Sequence, residues 1–160
     1  MIRVASRLLI AAALSCAAVS ASAKDYTLGA LTIAQPWARA TPGAIRTGAV
    51  YLTVSTQGGA PDRLVGAETP RAGKAGLHAQ IMDGDIMRMR DVKAVEVNPG
   101  EPAVLKPGGL HIMLEQLNAP LREKDHFPLT LIFEKAGRID VDVTVQSVGA
   151  NDAGHDMHGM

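Results

Sequence analysis

With 160 residues, 16 Lys or Arg balanced by 16 Asp or Glu, and a single cysteine, the chain is sized for one domain and has no charge excess to favour nucleic acid or an anionic membrane surface. The lone Cys16 excludes an internal disulfide, so the fold must rest on its hydrophobic core.

The N-terminus follows the secretory pattern: Arg3 and Arg7 as a positive region, a short apolar run from Leu8 to Val19, then Ala21-Ser22-Ala23 as a cleavage site before Lys24. The apolar run is too short for a stable bilayer anchor. Residues 1–23 are therefore read as a signal peptide cleaved after Ala23, placing the mature chain in a periplasm with 14 basic against 16 acidic residues. Cys16 leaves with the signal. Ala13-Leu14-Ser15-Cys16 is a weak lipoprotein box, since Ala13 stands where a branched residue is usual, and the A-x-A site is preferred over lipidation.

Residues 24–148 are read as one β-rich domain, because Thr, Val, Ile and Leu recur between Gly and Pro punctuation without a sustained helical period. Tyr26 to Ala34 predicts a first strand, and Gln35 to Gly43 a Pro-bounded connection in which Trp37 anchors the core. Thr47 to Ser55 and Arg63 to Glu68 predict further strands, followed by a loop from Pro70 to Gly76. Beyond it lie strands at Ala94 to Val97 and Leu110 to Leu114, then an irregular stretch from Leu117 to Asp125. His126 is read as an ordinary loop histidine. Pro128 to Phe133 and Arg138 to Gln146 predict a closing hairpin, its second arm alternating Ile139, Val141, Val143 and Val145 with Asp140, Asp142 and Thr144. Many short strands between turns imply an all-β, Greek-key sandwich or small barrel.

Two of the five histidines and four of the seven methionines fall between Leu77 and Leu114. Neutral imidazole and soft thioether donors without cysteine suit Cu(I) better than Zn, Ca or Mg. Thioethers also cannot be lost to disulfides in an oxidising compartment. Spacing turns composition into a site. Asp83-Gly84 between two strand-like runs is a hairpin signal, and with those residues as the loop His78 lies directly opposite Met89. With Gly84-Asp85 as the loop, Gln80 opposes Met89 and His78 becomes its diagonal neighbour on the same face. Residue alternation likewise puts His111 and Met113 on one face, opposite Leu110, Ile112 and Leu114. Arg88 and Arg90 on the nominally apolar side imply a hairpin projecting beyond the sandwich, with the site near the surface. The residues alone do not choose Met89 over Met87 or Met82.

His78, ten residues, Met89, twenty-one residues, His111, one residue, Met113 resembles the signature of the PCuAC-type periplasmic copper chaperones. Met82 to Arg90, Leu105 to Leu114, Trp37-Ala38-Arg39-Ala40 and Gly48-Ala49-Val50-Tyr51-Leu52 resemble that family too, so the likeness spans most of residues 26–146. It implies a cupredoxin-like β-sandwich, a monomer, binding one Cu(I) through His78, Met89, His111 and Met113. It also implies delivery to the binuclear copper centre of cytochrome c oxidase, alongside a thiol-containing assembly protein; the alternative is a periplasmic copper buffer without a dedicated acceptor. The chain departs at Gln80, where many members carry Met, which removes a spare thioether near the site.

Residues 149–160 are read as a flexible tail in which His155, Met157, His158 and Met160 form an auxiliary ligand set, with Cu(II) binding implied by the resemblance. An enzyme is not expected. Blue-copper electron transfer needs a Cys thiolate, methionine is a poor zinc ligand, and no G-x-S-x-G nucleophile motif occurs.

Overall fold

The computed structural model describes residues 24–153. Residues 1–23, read above as a signal peptide that includes Cys16, and the candidate tail ligands His155, Met157, His158 and Met160 lie outside the described residues. Within them the chain forms eleven strands: β1 (Tyr26–Leu28), β2 (Leu31–Arg39), β3 (Thr47–Thr56), β4 (Asp62–Glu68), β5 (Ala72–Asp83), β6 (Ile86–Asp91), β7 (Val95–Val97), β8 (Ala103–Leu105), β9 (Leu110–Leu117), β10 (His126–Phe133) and β11 (Gly137–Gln146).

Hydrogen bonding links the strands in the order β6-β5-β9-β3-β2-β11-β10-β4-β7, with β1 on β2 and β8 on β3. The pairs are antiparallel except β2 with β11, where Trp37 pairs Thr144 in a parallel ladder. The β5-β9-β3-β2 half and the β11-β10-β4-β7 half bury their apolar faces in one shared core, giving the expected all-β, cupredoxin-like sandwich. Ile33, Val50, Val54, Ile112 and Leu114 come from the first half, Leu64, Leu129, Leu131, Val141 and Val143 from the second. Burial of each such side chain is worth about 1.5–3 kcal/mol, so a core of this size can hold the described domain without a disulfide.

Several expectations give way. Tyr26 to Ala34 is two strands, because Gly29 adopts φ 58° and lets the chain turn between β1 and β2. The supposed connection at Gln35–Pro36 belongs to β2. Three steps along β2, from Ala34 to Trp37, match two along β3, from Thr53 to Tyr51, with Gln35 at φ 52°. This bulge accommodates Pro36, which lacks an N–H, and reverses the alternation after it. Ile33 before the bulge faces the core, whereas Trp37 after it pairs Tyr51 on the opposite face. Trp37 is buried, yet outside the sandwich core where it was expected. The loop expected over Pro70 to Gly76 is largely the start of β5, since small residues pair with β9 as readily as large ones; Ala72 opposes Leu117 and Ala75 opposes Leu114. His126 opens β10 instead of lying in a loop, its Nδ1 2.9 Å from the Asp142 carboxylate.

Asp62 is the one buried acid among the described residues, and it clamps the β10–β11 turn to β4. Its Oδ1 accepts from the backbone N–H of Arg63 (2.7 Å) and Lys135 (2.9 Å), and its Oδ2 from that of Ala136 (2.9 Å). Burial alone would raise its pKa, but these donors outweigh it and hold the carboxyl below its ordinary 3.8. The folded value lies below the unfolded one, so the stabilisation is present above pH 3.8 and is lost as pH falls through the folded value. Asp62→Asn presents an amide N–H to one of these donors and should cost about 1.5–3 kcal/mol. Urea unfolding at pH 7 checks this, and the deficit should shrink towards pH 2–3.

Candidate metal centre

The β5–β6 hairpin closes through Gly84-Asp85, with Asp83 paired to Ile86. The loop is thus one residue later than Asp83-Gly84. Gly84 has φ 64° and no residue beside it has positive φ, the arrangement of a two-residue loop with Gly at its first position. The register follows: Met82 opposes Met87, Gln80 opposes Met89, and His78 opposes Asp91. Met89 is therefore the diagonal neighbour of His78 on the same face, as the second of the two sequence registers requires.

The pairing of β5 with β9 then brings together residues 33 positions apart. His78 lies directly opposite His111, and Gly76 opposite Met113. Their shared face has the two imidazoles in its middle row, ring centroids 5.9 Å apart, with Met113 one row to one side and Met89 one row to the other. All four sequence-predicted ligands occupy this one patch. Met87 and Met82 sit a further row out, and Met82, Met87 and Met89 are all more than half exposed. The hairpin does project, since every residue of β6 is exposed. Gln80 donates its side-chain N–H to the Met87 sulfur.

His111 faces away from the sandwich core, as its alternation with Ile112 predicts, yet it is only 3% exposed. Aromatic residues on the same face cover it. The Tyr51 ring lies 6.5 Å from the His111 ring, and Trp37, redirected by the β2 bulge, lies 4.7 Å from Tyr51. Burial pushes the His111 imidazole below its ordinary 6.5; the hydrogen bond to the Gly109 carbonyl opposes this and the neighbouring His78 adds to it.

One nitrogen on each ring is engaged. His111 Nδ1 lies 3.0 Å from the Gly109 carbonyl oxygen, and His78 Nε2 lies 3.1 Å from Asp91 Oδ1. The others, His111 Nε2 and His78 Nδ1, are buried without a hydrogen-bond partner. A buried unsatisfied polar atom costs about 1–3 kcal/mol, so two in adjacent side chains mark a place where something else supplies the partner. The donors around them are neutral imidazoles and soft thioethers. Two imidazoles with thioethers are a donor set that fits a soft monovalent cation. A Cβ at Gly76 would make ordinary van der Waals contact with the His78 ring, 3.5 Å from Nε2.

Sequence reasoning missed Asp91 and Tyr51 as neighbours of the imidazoles. Asp91 was findable from strand alternation, being the next residue after Met89 on the same face. Tyr51 was not, because its place beside His111 depends on which strand β3 pairs with.

The fold matches the apo PCuAC domain from PmoF1 (26% identity, TM-score 0.67, covering 78% of this chain and 99% of that one). It also matches the copper-bound PCuAC domain from PmoF2 (25%, TM-score 0.66, 78% and 98%) and the solution structure of CuI-DR1885 from Deinococcus radiodurans (28%, TM-score 0.59, 81% and 85%). The chain thus resembles the PCuAC copper-chaperone domain, as its ligand spacing implied. A relative from Leifsonia xyli subsp. xyli (strain CTCB07), "Putative lipoprotein Lxx21020", is 29% identical over 122 residues, 75% of this chain and 72% of that protein. The model of the family described as "Putative lipoprotein LpqE-like" matches residues 31–145, and the chain belongs to this LpqE-like family.

Proposed function

We propose that this protein is a periplasmic copper-binding protein that holds one Cu(I) as exchangeable cargo through His78, Met89, His111 and Met113, and that it is not an enzyme. The observation that carries the reading is the pair of buried, unpartnered imidazole nitrogens on a face shared with two thioethers. Copper in the related PmoF2 domain and DR1885 structures supports the identity of the metal. Four neutral ligands leave a net charge of +1 on the loaded site, so no strong electrostatic trap opposes release. The more than half-exposed Met89 gives an acceptor a place to begin ligand exchange.

Carriage without a fixed acceptor is the broader form of this reading. Delivery to the binuclear copper centre of cytochrome c oxidase, with a thiol-containing assembly protein, is the finer form implied by the resemblance to PCuAC-type chaperones. Anaerobic titration with Cu(I) against a chromogenic chelator should show one tightly held ion on the mature chain; no uptake would sink both forms. Transfer from the loaded protein to an isolated oxidase copper domain separates them, since failure of transfer with tight binding intact leaves a copper buffer.

The tail contributes a separate prediction. Arg39 donates to the Ala150 carbonyl (2.6 Å) and to the Asn151 side chain (2.8 Å), so residues up to 151 are tied to the end of β2 and should be retained in any truncation. Deleting residues 154–160, which removes His155, Met157, His158 and Met160, should abolish additional Cu(II) binding and leave the single Cu(I) intact. Metal analysis by mass spectrometry of both forms checks this, and loss of the Cu(I) would place tail residues in the main site.

The word lipoprotein in the names of the family and the Leifsonia relative gives the N-terminus a second reading, lipidation at Cys16. Intact mass distinguishes it from cleavage after Ala23, because only the first adds acyl chains.

A further inference from the structure

The two imidazoles of the proposed site are held by different atoms. A carboxylate or carbonyl oxygen can only accept, so the ring nitrogen facing it must carry the hydrogen, and in a neutral ring the lone pair is then on the other nitrogen. On His111 the Gly109 carbonyl faces Nδ1, which leaves the lone pair on Nε2. On His78 the Asp91 carboxylate faces Nε2, which leaves it on Nδ1. The two nitrogens that these oxygen contacts leave bare are the same two that are buried without hydrogen-bond partners.

Asp91 lies opposite His78 in the β5–β6 ladder, so the contact follows from the one-residue shift of the hairpin loop. In the register with Asp83-Gly84 as the loop, Met89 would occupy this place. The side chain of Asp91 is 85% exposed on an edge strand, whereas that of His78 is 13% exposed. The carboxylate therefore grips the buried ring from the solvent side, on the edge away from His111. The other ion pair on this face, Lys74 with Glu115 at 2.6 Å, neutralises itself. Asp91 is the anion placed to offset the net positive charge of a cation held by four neutral ligands. Carboxylates that hold the non-ligating nitrogen of a metal-bound histidine fix its orientation and raise its basicity.

Resting on the Cu(I) reading above, we propose that Asp91 is the positioning residue of the site and that the ion is held by unlike nitrogens, Nδ1 of His78 and Nε2 of His111. The metal-free protein, labelled with 15N in its histidines, should show His78 protonated at Nε2 and His111 protonated at Nδ1 in long-range 1H–15N spectra. Loading with Ag(I), a closed-shell soft surrogate for Cu(I), should then split the 15N signals of His78 Nδ1 and His111 Nε2 through coupling to silver. Asp91→Ala should weaken Ag(I) and Cu(I) binding by about 10–100-fold and remove or divide the splitting at His78 Nδ1, with circular dichroism unchanged. Asp91→Asn, whose side-chain oxygen still accepts from Nε2–H, should restore the splitting and part of the affinity. A purely structural role would not produce that recovery at a single nitrogen.

Silver coupling at His78 Nε2 would overturn the proposal, since the ion would then displace Asp91. So would wild-type affinity and splitting in Asp91→Ala. Either result leaves the copper reading standing. Absence of silver uptake, with no splitting on either histidine, overturns the copper reading and this proposal together.

Discussion

Replacing His78 with alanine should lower Cu(I) affinity by at least about 100-fold while leaving the fold intact. Removing an outer partner of a ligating histidine typically costs 10–100-fold, and removing the ligand itself should cost at least the upper end of that range. His78 is the cleaner target of the two histidines. The group nearest its Nε2 is the exposed Asp91 carboxylate on the edge strand, 3.1 Å away, so its loss leaves no buried group newly unpaired. His111→Ala should produce a similar loss of affinity together with a stability penalty of about 1 kcal/mol, because it deletes the hydrogen bond to Gly109 and opens space beneath Tyr51. Competition with a Cu(I) chelator of known affinity, combined with thermal melts, measures both. Unchanged affinity in His78→Ala would exclude the imidazole pair as the binding centre.

Adjacent residues of β9 should respond in opposite ways. Leu114 is fully buried in the core between β3 and β5, and Leu114→Ala should cost about 2–5 kcal/mol of stability through lost burial and a residual cavity. Its folded fraction should bind Cu(I) with unchanged affinity, since the side chain faces away from the imidazoles. Met113 is only partly buried on the other face. Met113→Leu conserves volume and should cost less than about 1.5 kcal/mol, but it removes a thioether ligand of the proposed site and should weaken Cu(I) binding by at least about 100-fold, on the same ground as for His78. Urea midpoints and chelator competition on the two variants should therefore cross. If both moved together, the partition of β9 into a core face and a metal face would be wrong.

That partition was legible in the sequence because strand alternation has a period of two and needs no knowledge of neighbours. His111 and Met113 separate from Ile112 and Leu114 on this ground alone, and the alternating valines of β11 identify its core face in the same way. The hairpin carrying His78 and Met89 was legible as well, though its loop lies one residue later than Asp83-Gly84. An Asp-Gly pair favours a turn with positive φ at both central residues, whereas here only Gly84 has it. Pro36 concealed the continuation of β2, because a proline argues against a central strand unless a bulge receives it, and a bulge depends on the partner strand.

The soft, neutral chemistry of the site was set by residue identity, and the face each candidate occupies by local alternation, so both could be read along the chain. The meeting of His78 with His111 could not. It requires β5 to lie beside β9, a choice made by packing the Leu77, Ile112 and Leu114 side chains into a core built from strands across the whole domain. The burial of His111 likewise depends on Tyr51 from β3 and on Trp37, turned outward by the β2 bulge. Side-chain direction along a strand is a property of consecutive residues. Which strands become neighbours is decided by burial summed over distant segments, and only the tertiary structure could show that two histidines 33 residues apart face each other across one ladder.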